Sequence, residues 1–115
     1  MGIGAEIVVE QEGEVYIVRI EGRIDATTTP LIEKKLTKLL EVTHKLLIDF
    51  SDVVYLSSAG MRLLLSLTKK INAKGGHVAY YGMSDDVIEI IKMAGFERIL
   101  SIFSSKKEAL KSVSK

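Results

Sequence analysis

Alternating side chains near the start of the chain predict a β-hairpin. Within residues 15–20, Val15, Ile17 and Arg19 alternate with the residues between them, and a period of two is typical of a strand. Residues 7–9 form another apolar run, and Gly13 lies in the short polar segment between the two runs. We therefore expect the chain to begin with two antiparallel strands joined by a tight turn.

A helical period follows the hairpin. Three threonines precede Pro30, and threonine caps with a proline in the first turn are typical of a helix start. The apolar residues after Pro30 recur on one side of a helix, and the lysines lie largely on the other side. The predicted apolar side comprises Leu31, Ile32, Leu36, Leu39 and Leu40, and the lysines are Lys34, Lys35 and Lys38.

The middle of the chain predicts a strand, a helix and a second strand. Residues 46–50 are a short apolar run without alternation, which favours a central strand covered on both faces. Residues 59–73 carry apolar side chains around much of a helix, which Gly75 and Gly76 end. Residues 77–81 are the next apolar run, so the two strands should be parallel and joined by a right-handed crossover.

Two further helices are predicted after that crossover. Ser84 with two acidic residues begins a helix with apolar residues at the spacing i, i+3, i+4, i+7, and Gly95 ends it. Ser105 and Glu108 form a candidate capping box for a last helix, and residues 99–103 form a candidate edge strand. The fold class is therefore α/β, with a mixed sheet of four to five strands and about four helices mainly on one face.

Composition narrows the class of function. The 115 residues fit one domain, and the formal net charge of +1 is spread over several segments, so nucleic acid is not an expected partner. The absence of cysteine fits a reducing compartment. Residues 1–6 lack a leader or myristoylation pattern, and no apolar run reaches the roughly 18 residues of a membrane span. A cytoplasmic protein without a membrane span is expected, and two distant histidines predict no metal site.

The segment before the second helix carries the most informative chemistry. An apolar strand is expected to end at Asp49-Phe50-Ser51, and Ser57 and Ser58 then open the helix. The first N–H groups of a helix lack intrahelical acceptors and the helix dipole is positive there, so a phosphate on either serine would be favoured. Serine is also an ordinary helix cap. The residues alone leave both interpretations open.

Three motifs stand in a recognisable order. They are Gly22-Arg23-Ile24-Asp25, Asp49-Phe50-Ser51 and Ser57-Ser58-Ala59-Gly60-Met61. Together they resemble the motifs of STAS domains, and specifically of bacterial anti-sigma factor antagonists, over nearly the whole chain. The resemblance implies a single STAS domain over residues 1–115 and a binding module that is not an enzyme.

The resemblance also implies a site of phosphorylation. In proteins of this kind a serine kinase, which is also the anti-sigma factor, modifies the serine two residues before the glycine, which is Ser58 here. The unmodified form would bind that kinase and release the sigma factor, and a serine phosphatase would reverse the modification. Ser57 replaces a common aspartate and leaves a second hydroxyl beside the acceptor, whereas Ala59 removes another. No cofactor is expected in the chain itself, since the kinase would bring ATP and magnesium.

We expect the partner-binding surface to surround Ser58. Leu56, Met61 and Met83 would give apolar contacts, and Arg62, at i+4, would hold the phosphate. Asp25 is expected either as a turn residue or on the kinase-facing surface, and Asp49 is expected to accept hydrogen bonds from the next loop. The full predicted set is Asp25, Thr27, Leu56, Ser57, Ala59, Gly60, Met61, Arg62 and Met83.

Other functions remain open. A serine hydrolase would use Ser58 as its nucleophile, but His44 and His77 are expected at the opposite end of the sheet, beyond reach as a base. STAS domains are also scaffold or regulatory subunits of stress-signalling and lipid-transport assemblies, and parts of anion transporters. A monomer or weak dimer is expected, because the first strand forms an edge that permits pairing.

Overall fold

The computed structural model describes residues 4–114, which form five strands and four helices. The prediction that residues 1–6 carry no leader falls partly on residues 1–3, which lie outside the described range. In chain order the elements are β1 (Ala5–Glu12), β2 (Val15–Ile24), α1 (Thr29–Leu39), β3 (Lys45–Leu56), α2 (Ser58–Ala73), β4 (His77–Tyr81), α3 (Asp85–Met93), β5 (Ile102–Phe103) and α4 (Lys106–Val113).

The sheet is mixed and follows the order of the chain, β1-β2-β3-β4-β5. Strands β1 and β2 are antiparallel, whereas β2 with β3, β3 with β4 and β4 with β5 are parallel. The predicted hairpin and the predicted parallel strands around α2 are therefore confirmed. The edge strand expected within residues 99–103 is present, but it is reduced to the two residues of β5.

Helices cover both faces of the sheet, three on one side and one on the other. Helices α1, α2 and α3 pack on the face that carries Ile20, Ile48 and Tyr80, which we call the main face. Alternate residues of the same strands, such as Ile17 and Leu47, face α4 instead. The expected arrangement, with the helices mainly on one face, is confirmed, and α4 explains why β3 and β4 have no polar face along their apolar stretch.

Strand β3 is longer than predicted and contains two bulges. At two places β3 advances one residue more than β2 does between successive pairs. Extra residues in one strand turn neighbouring side chains the same way and interrupt the alternation. The pairs that flank the bulges are Arg19 with Asp49 and Glu21 with Asp52, then Gly22 with Val53 and Arg23 with Tyr55.

These bulges correct one prediction. The strand does not end near Asp49 but runs on to Leu56, directly before the start of α2. Asp49 Oδ1 accepts a hydrogen bond from the Ser51 N–H at 2.8 Å. The predicted local hydrogen bond exists, but it lies within the strand, beside the first bulge, and not in a loop.

The start of α1 also differs from the expectation. Thr28 occupies the cap position, yet its side chain accepts no hydrogen bond from the helix. Leu31, predicted on the buried side, is 47% exposed, whereas Ile32 and Leu36 are buried. The caps of α3 and α4 form as expected, because Ser84 accepts from the Val87 N–H and Ser105 accepts from the Glu108 N–H.

Candidate functional site

The two serines at the start of α2 have different environments. Ser57 is the N-cap, since its Oγ accepts a hydrogen bond from the Gly60 N–H at 3.1 Å. Ser58 is the first residue of the helix and is exposed. Within residues 4–114 its hydroxyl makes no hydrogen bond, which leaves Ser58 as the chemically free hydroxyl of the pair.

Close packing beneath the helix fixes this position. Gly60 is buried in the first turn of α2, where a Cβ atom would lie 2.6 Å from Ile24 Cγ2 and 2.8 Å from Leu56 Cδ1. The Ser57 N–H also donates to the Ile24 carbonyl at 2.8 Å. The helix start is therefore held directly on the ends of β2 and β3, and glycine is required for that approach.

The loop between β2 and α1 lies at the same end of the sheet. Asp25 Oδ1 accepts hydrogen bonds from the N–H groups of Thr27 and Thr28 at 3.0 and 3.1 Å. These bonds, the Thr28 N–H first among them, lower the pKa of the Asp25 carboxyl below its ordinary value, and a bond from Arg23 adds to the effect. Asp25 therefore has the turn role that was one of the two expectations for it.

Two exposed residues of β3 were missed by the sequence analysis. Val54 is 72% exposed and Tyr55 is 39% exposed, although they immediately precede a buried leucine. The Arg23 guanidinium lies over the Tyr55 ring, 4.4 Å from its centre, a cation–π contact that also links the loop to β3. The second bulge explains their exposure, since it removes the alternation that would bury one of the two.

Three residues predicted to contact a partner are instead buried. Leu56 and Met61 are 1% and 7% exposed and belong to the main core, and Gly60 is buried beneath the helix. The prediction of Leu56 and Met61 as apolar contact residues is wrong, because their side chains pack inside the protein, and Gly60, predicted only as part of the partner-binding set, is buried as well. Met83 is half-buried and also packs against that core.

The other predicted residues lie nearer the surface. Thr27 and Arg62 are exposed, and Asp25, Ser57 and Ala59 are half-buried. Arg62 lies one helical turn after Ser58 and forms no ion pair with another residue in the range 4–114. Its charge is therefore available to a phosphate or to an acidic group of a partner.

The histidines lie away from Ser58. The His77 N–H donates to the His44 carbonyl at 2.8 Å, and His77 pairs with Lys45 at the start of β3. Ser58 follows the opposite end of that strand. Neither histidine can act as a base for Ser58 in this arrangement.

The described part of the chain offers few alternatives for a site. Residues 4–114 contain no group of three or more histidine, cysteine or acidic residues placed to hold a metal ion. In the same residues, no helix combines the length and the apolar character that a membrane crossing requires.

The fold and the motifs define a class of protein. The model of the STAS domain family matches residues 6–109. The chain therefore belongs to the STAS domain family, and the predicted fold class is confirmed.

Three similar proteins narrow that class. The chain is 30% identical over 100 residues to the anti-sigma-B factor antagonist of Bacillus subtilis, covering 87% of this chain and 91% of that protein. The crystal structure of an anti-sigma factor antagonist from Mycobacterium paratuberculosis superposes with a TM-score of 0.88 at 23% identity, over 96% of this chain and 95% of that chain. The Bacillus cell fate determinant SpoIIAA in its phosphorylated form gives a TM-score of 0.72 at 17% identity, over 94% and 99% of the two chains. The predicted resemblance to anti-sigma factor antagonists is confirmed.

Proposed function

We propose that this chain is an anti-sigma factor antagonist controlled by phosphorylation of Ser58. In its unmodified form it binds an anti-sigma factor that is also a serine kinase, and the sigma factor is released. Phosphorylation of Ser58 ends that binding, and a serine phosphatase restores it. The observation that carries the proposal is that the Ser58 hydroxyl is exposed and forms no hydrogen bond within residues 4–114, whereas the neighbouring Ser57 caps the helix.

The helix start favours a phosphate at this place. Within residues 4–114, the N–H groups of Ser58 and Ala59 have no backbone acceptor, as is usual for the first turn of a helix. Unpaired N–H groups and the positive end of the helix dipole both favour an anion. Arg62, one turn further along, adds an exposed positive charge.

The surface around Ser58 explains how one phosphate would act as a switch. Val54 and Tyr55 are exposed beside the helix start and would give a partner its apolar contacts. Phosphoserine adds about −1.5 to −2 charges to this surface. Burying that charge without a partner group costs several kcal/mol, which corresponds to a loss of affinity on the order of a thousandfold.

The two serines provide a matched test of the acceptor. The chain is incubated with the anti-sigma kinase of its own organism and ATP, and the modified peptide is identified by mass spectrometry. Ser58→Ala should abolish incorporation of phosphate, and Ser57→Ala should retain it once its weaker helix cap has been checked by circular dichroism. Modification of Ser58→Ala at the parental rate would show that the acceptor lies elsewhere.

Binding tests the switch separately. Ser58→Asp should weaken the complex with the anti-sigma factor, whereas Ser58→Ala should bind as the parent does. Val54→Ser should also weaken the complex without changing the stability of the free protein. Equal affinity for all four proteins would contradict a docking surface at this helix start.

The remaining features of this function belong to the same proposal. The chain acts by binding and carries no catalytic step, and its expected place is the cytoplasm, where a sigma factor acts. It acts as one STAS domain, as a monomer or weak dimer. The hydrolase alternative loses support from the positions of His44 and His77, at the opposite end of the sheet from Ser58.

A further inference from the structure

Strand β1 forms one edge of the sheet and is long for an edge. Its eight residues pair with β2 alone among the residues the structure describes. An edge strand has a row of N–H and C=O groups that point away from the sheet and can pair with another chain. No proline interrupts β1, and its register with β2 is continuous.

The main face of this edge is apolar. Ala5 and Ile7 lie on the main face, and Val9 follows them in the same alternation. Between β1 and α1 there is a groove of about 310 Å³, and most of its lining is apolar. Its lining residues are Ala5, Ile7, Thr28, Leu31, Ile32 and Lys35. Val9 and Leu31 are 37% and 47% exposed, so the groove and its margin offer apolar area that the chain leaves open to solvent.

The opposite face of the same edge is acidic. Glu6, Glu10 and Glu12 point to the face that carries α4, with Val8 between the first two. Glu12 pairs with Lys106 at 2.7 Å. Glu6 and Glu10 are exposed and form no ion pair with any residue from 4 to 114. The charge of Glu10 contributes to raising the pKa values of nearby Arg19 and Lys106, but the direct ion-pair partners of these two cations are Glu21 and Glu12.

We infer that β1 binds an extended, basic segment of a partner protein as an additional strand of the sheet. Such a segment would place alternate apolar side chains over the groove and lysine or arginine side chains beside Glu6 and Glu10. Main-chain hydrogen bonds would supply affinity, and the alternation would supply specificity.

Charge distinguishes this occupant from a second copy of the chain. If β1 paired with β1 of another molecule, two rows of glutamates would lie across from each other on the same face. Like charges at such positions destabilise strand pairing, whereas opposite charges stabilise it. The acidic face therefore disfavours self-pairing and selects a cationic strand.

A peptide titration tests this site without any knowledge of the natural partner. The probe is an eight-residue peptide that alternates valine with lysine, and its matched control alternates valine with glutamate. Amide chemical shifts of the full chain should change along β1 and around Leu31 with the lysine peptide only. Hydrogen exchange should slow at alternate residues of β1, because only alternate N–H groups of an edge strand point outwards.

Substitutions at exposed residues show whether the β1 edge and its groove bind the peptide. The double change Glu6→Lys and Glu10→Lys should weaken the lysine peptide about tenfold and improve the glutamate peptide. Leu31→Ser should weaken the lysine peptide, and Glu89→Lys, at an exposed position of α3, should leave both titrations unchanged. Unfolding curves establish that each variant is folded.

Three results would overturn the inference. They are equal binding of the two peptides, shift changes confined to other elements, and a concentration-dependent dimer whose interface maps to β1. None of them bears on phosphorylation of Ser58, because Ser58 belongs neither to β1 nor to the lining of the groove.

Discussion

Helices α1 and α2 begin side by side at the same end of the sheet, yet they use their hydroxyl groups differently. Each follows a parallel strand, since Ile24 at the end of β2 pairs with Leu56 at the end of β3. At α1, Thr28 Oγ1 donates to the Arg23 carbonyl at 2.7 Å and accepts from the Asp25 N–H at 3.0 Å. At α2 one serine caps the helix and its neighbour remains free.

Backbone conformation at the cap explains the contrast. Ser57 is extended, with φ −86° and ψ 172°, which directs its Oγ towards the third residue of the helix. Thr28 already has helical angles, φ −86° and ψ −26°, so its side chain turns back to the loop. The hydroxyl at the start of α1 is thus hydrogen-bonded within its own loop, whereas the start of α2 retains one exposed hydroxyl without a hydrogen bond to residues 4–114.

The largest effect is expected from removing the buried hydroxyl at α1. Thr28→Val keeps the shape of the side chain but leaves the Asp25 N–H without its acceptor, which should lower the free energy of unfolding by about 1–3 kcal/mol. Urea denaturation measures this change.

The neighbouring threonine provides the control. Thr29 Oγ1 is buried and has no hydrogen-bond partner among residues 4–114. Thr29→Val should therefore be neutral or slightly stabilising, because it removes an unpaired polar atom from the interior. Equal losses in the two variants would mean that the hydrogen bonds of Thr28 do not stabilise the loop.

A smaller difference in the free energy of unfolding should distinguish Ser57 from Ser58 at the start of α2. Ser57→Ala removes the cap and should lower the free energy of unfolding by about 1 kcal/mol. Ser58→Ala removes a hydroxyl that bonds to nothing in residues 4–114, so its effect should lie within about 0.5 kcal/mol of zero. Thermal and urea unfolding of both variants measure the difference, and a larger loss for Ser58→Ala would reverse the assignment of cap and free hydroxyl.

The sequence predicts the fold well where local periods and caps agree. The hairpin, the strands on either side of α2 and the cap of α3 all have this property, and the structure confirms them. Strand β3 is different, because two bulges give its buried residues Phe50, Val53 and Leu56 a spacing of three, which departs from the period of two that predicts a strand.

The same bulges limit what could be predicted about the site. They expose Val54 and Tyr55 and bury Leu56, so proximity to Ser58 in the sequence did not indicate which apolar residues face solvent. Met61 was misassigned for a related reason, since α2 is apolar around much of its circumference and its exposed side is set by tertiary packing. The choice between Ser57 and Ser58 as the cap likewise depends on the backbone angles at Ser57.

The smallest effect concerns the charge that closes the start of α1. The pKa of Asp25 is lowered chiefly by the Thr28 N–H, so its ionised form is favoured in the folded state. A carboxyl whose folded pKa is lowered adds stability at pH values above its ordinary pKa of about 3.9, and that stability is lost as the pH falls through the lowered value.

Asp25→Asn keeps an acceptor oxygen but removes the charge. The difference in free energy of unfolding between parent and variant should therefore be constant at neutral pH and shrink below about pH 4. A difference that stays constant to the lowest measurable pH would show that the ionised carboxylate does not hold this loop. The two helix starts would then differ only in their hydroxyl groups.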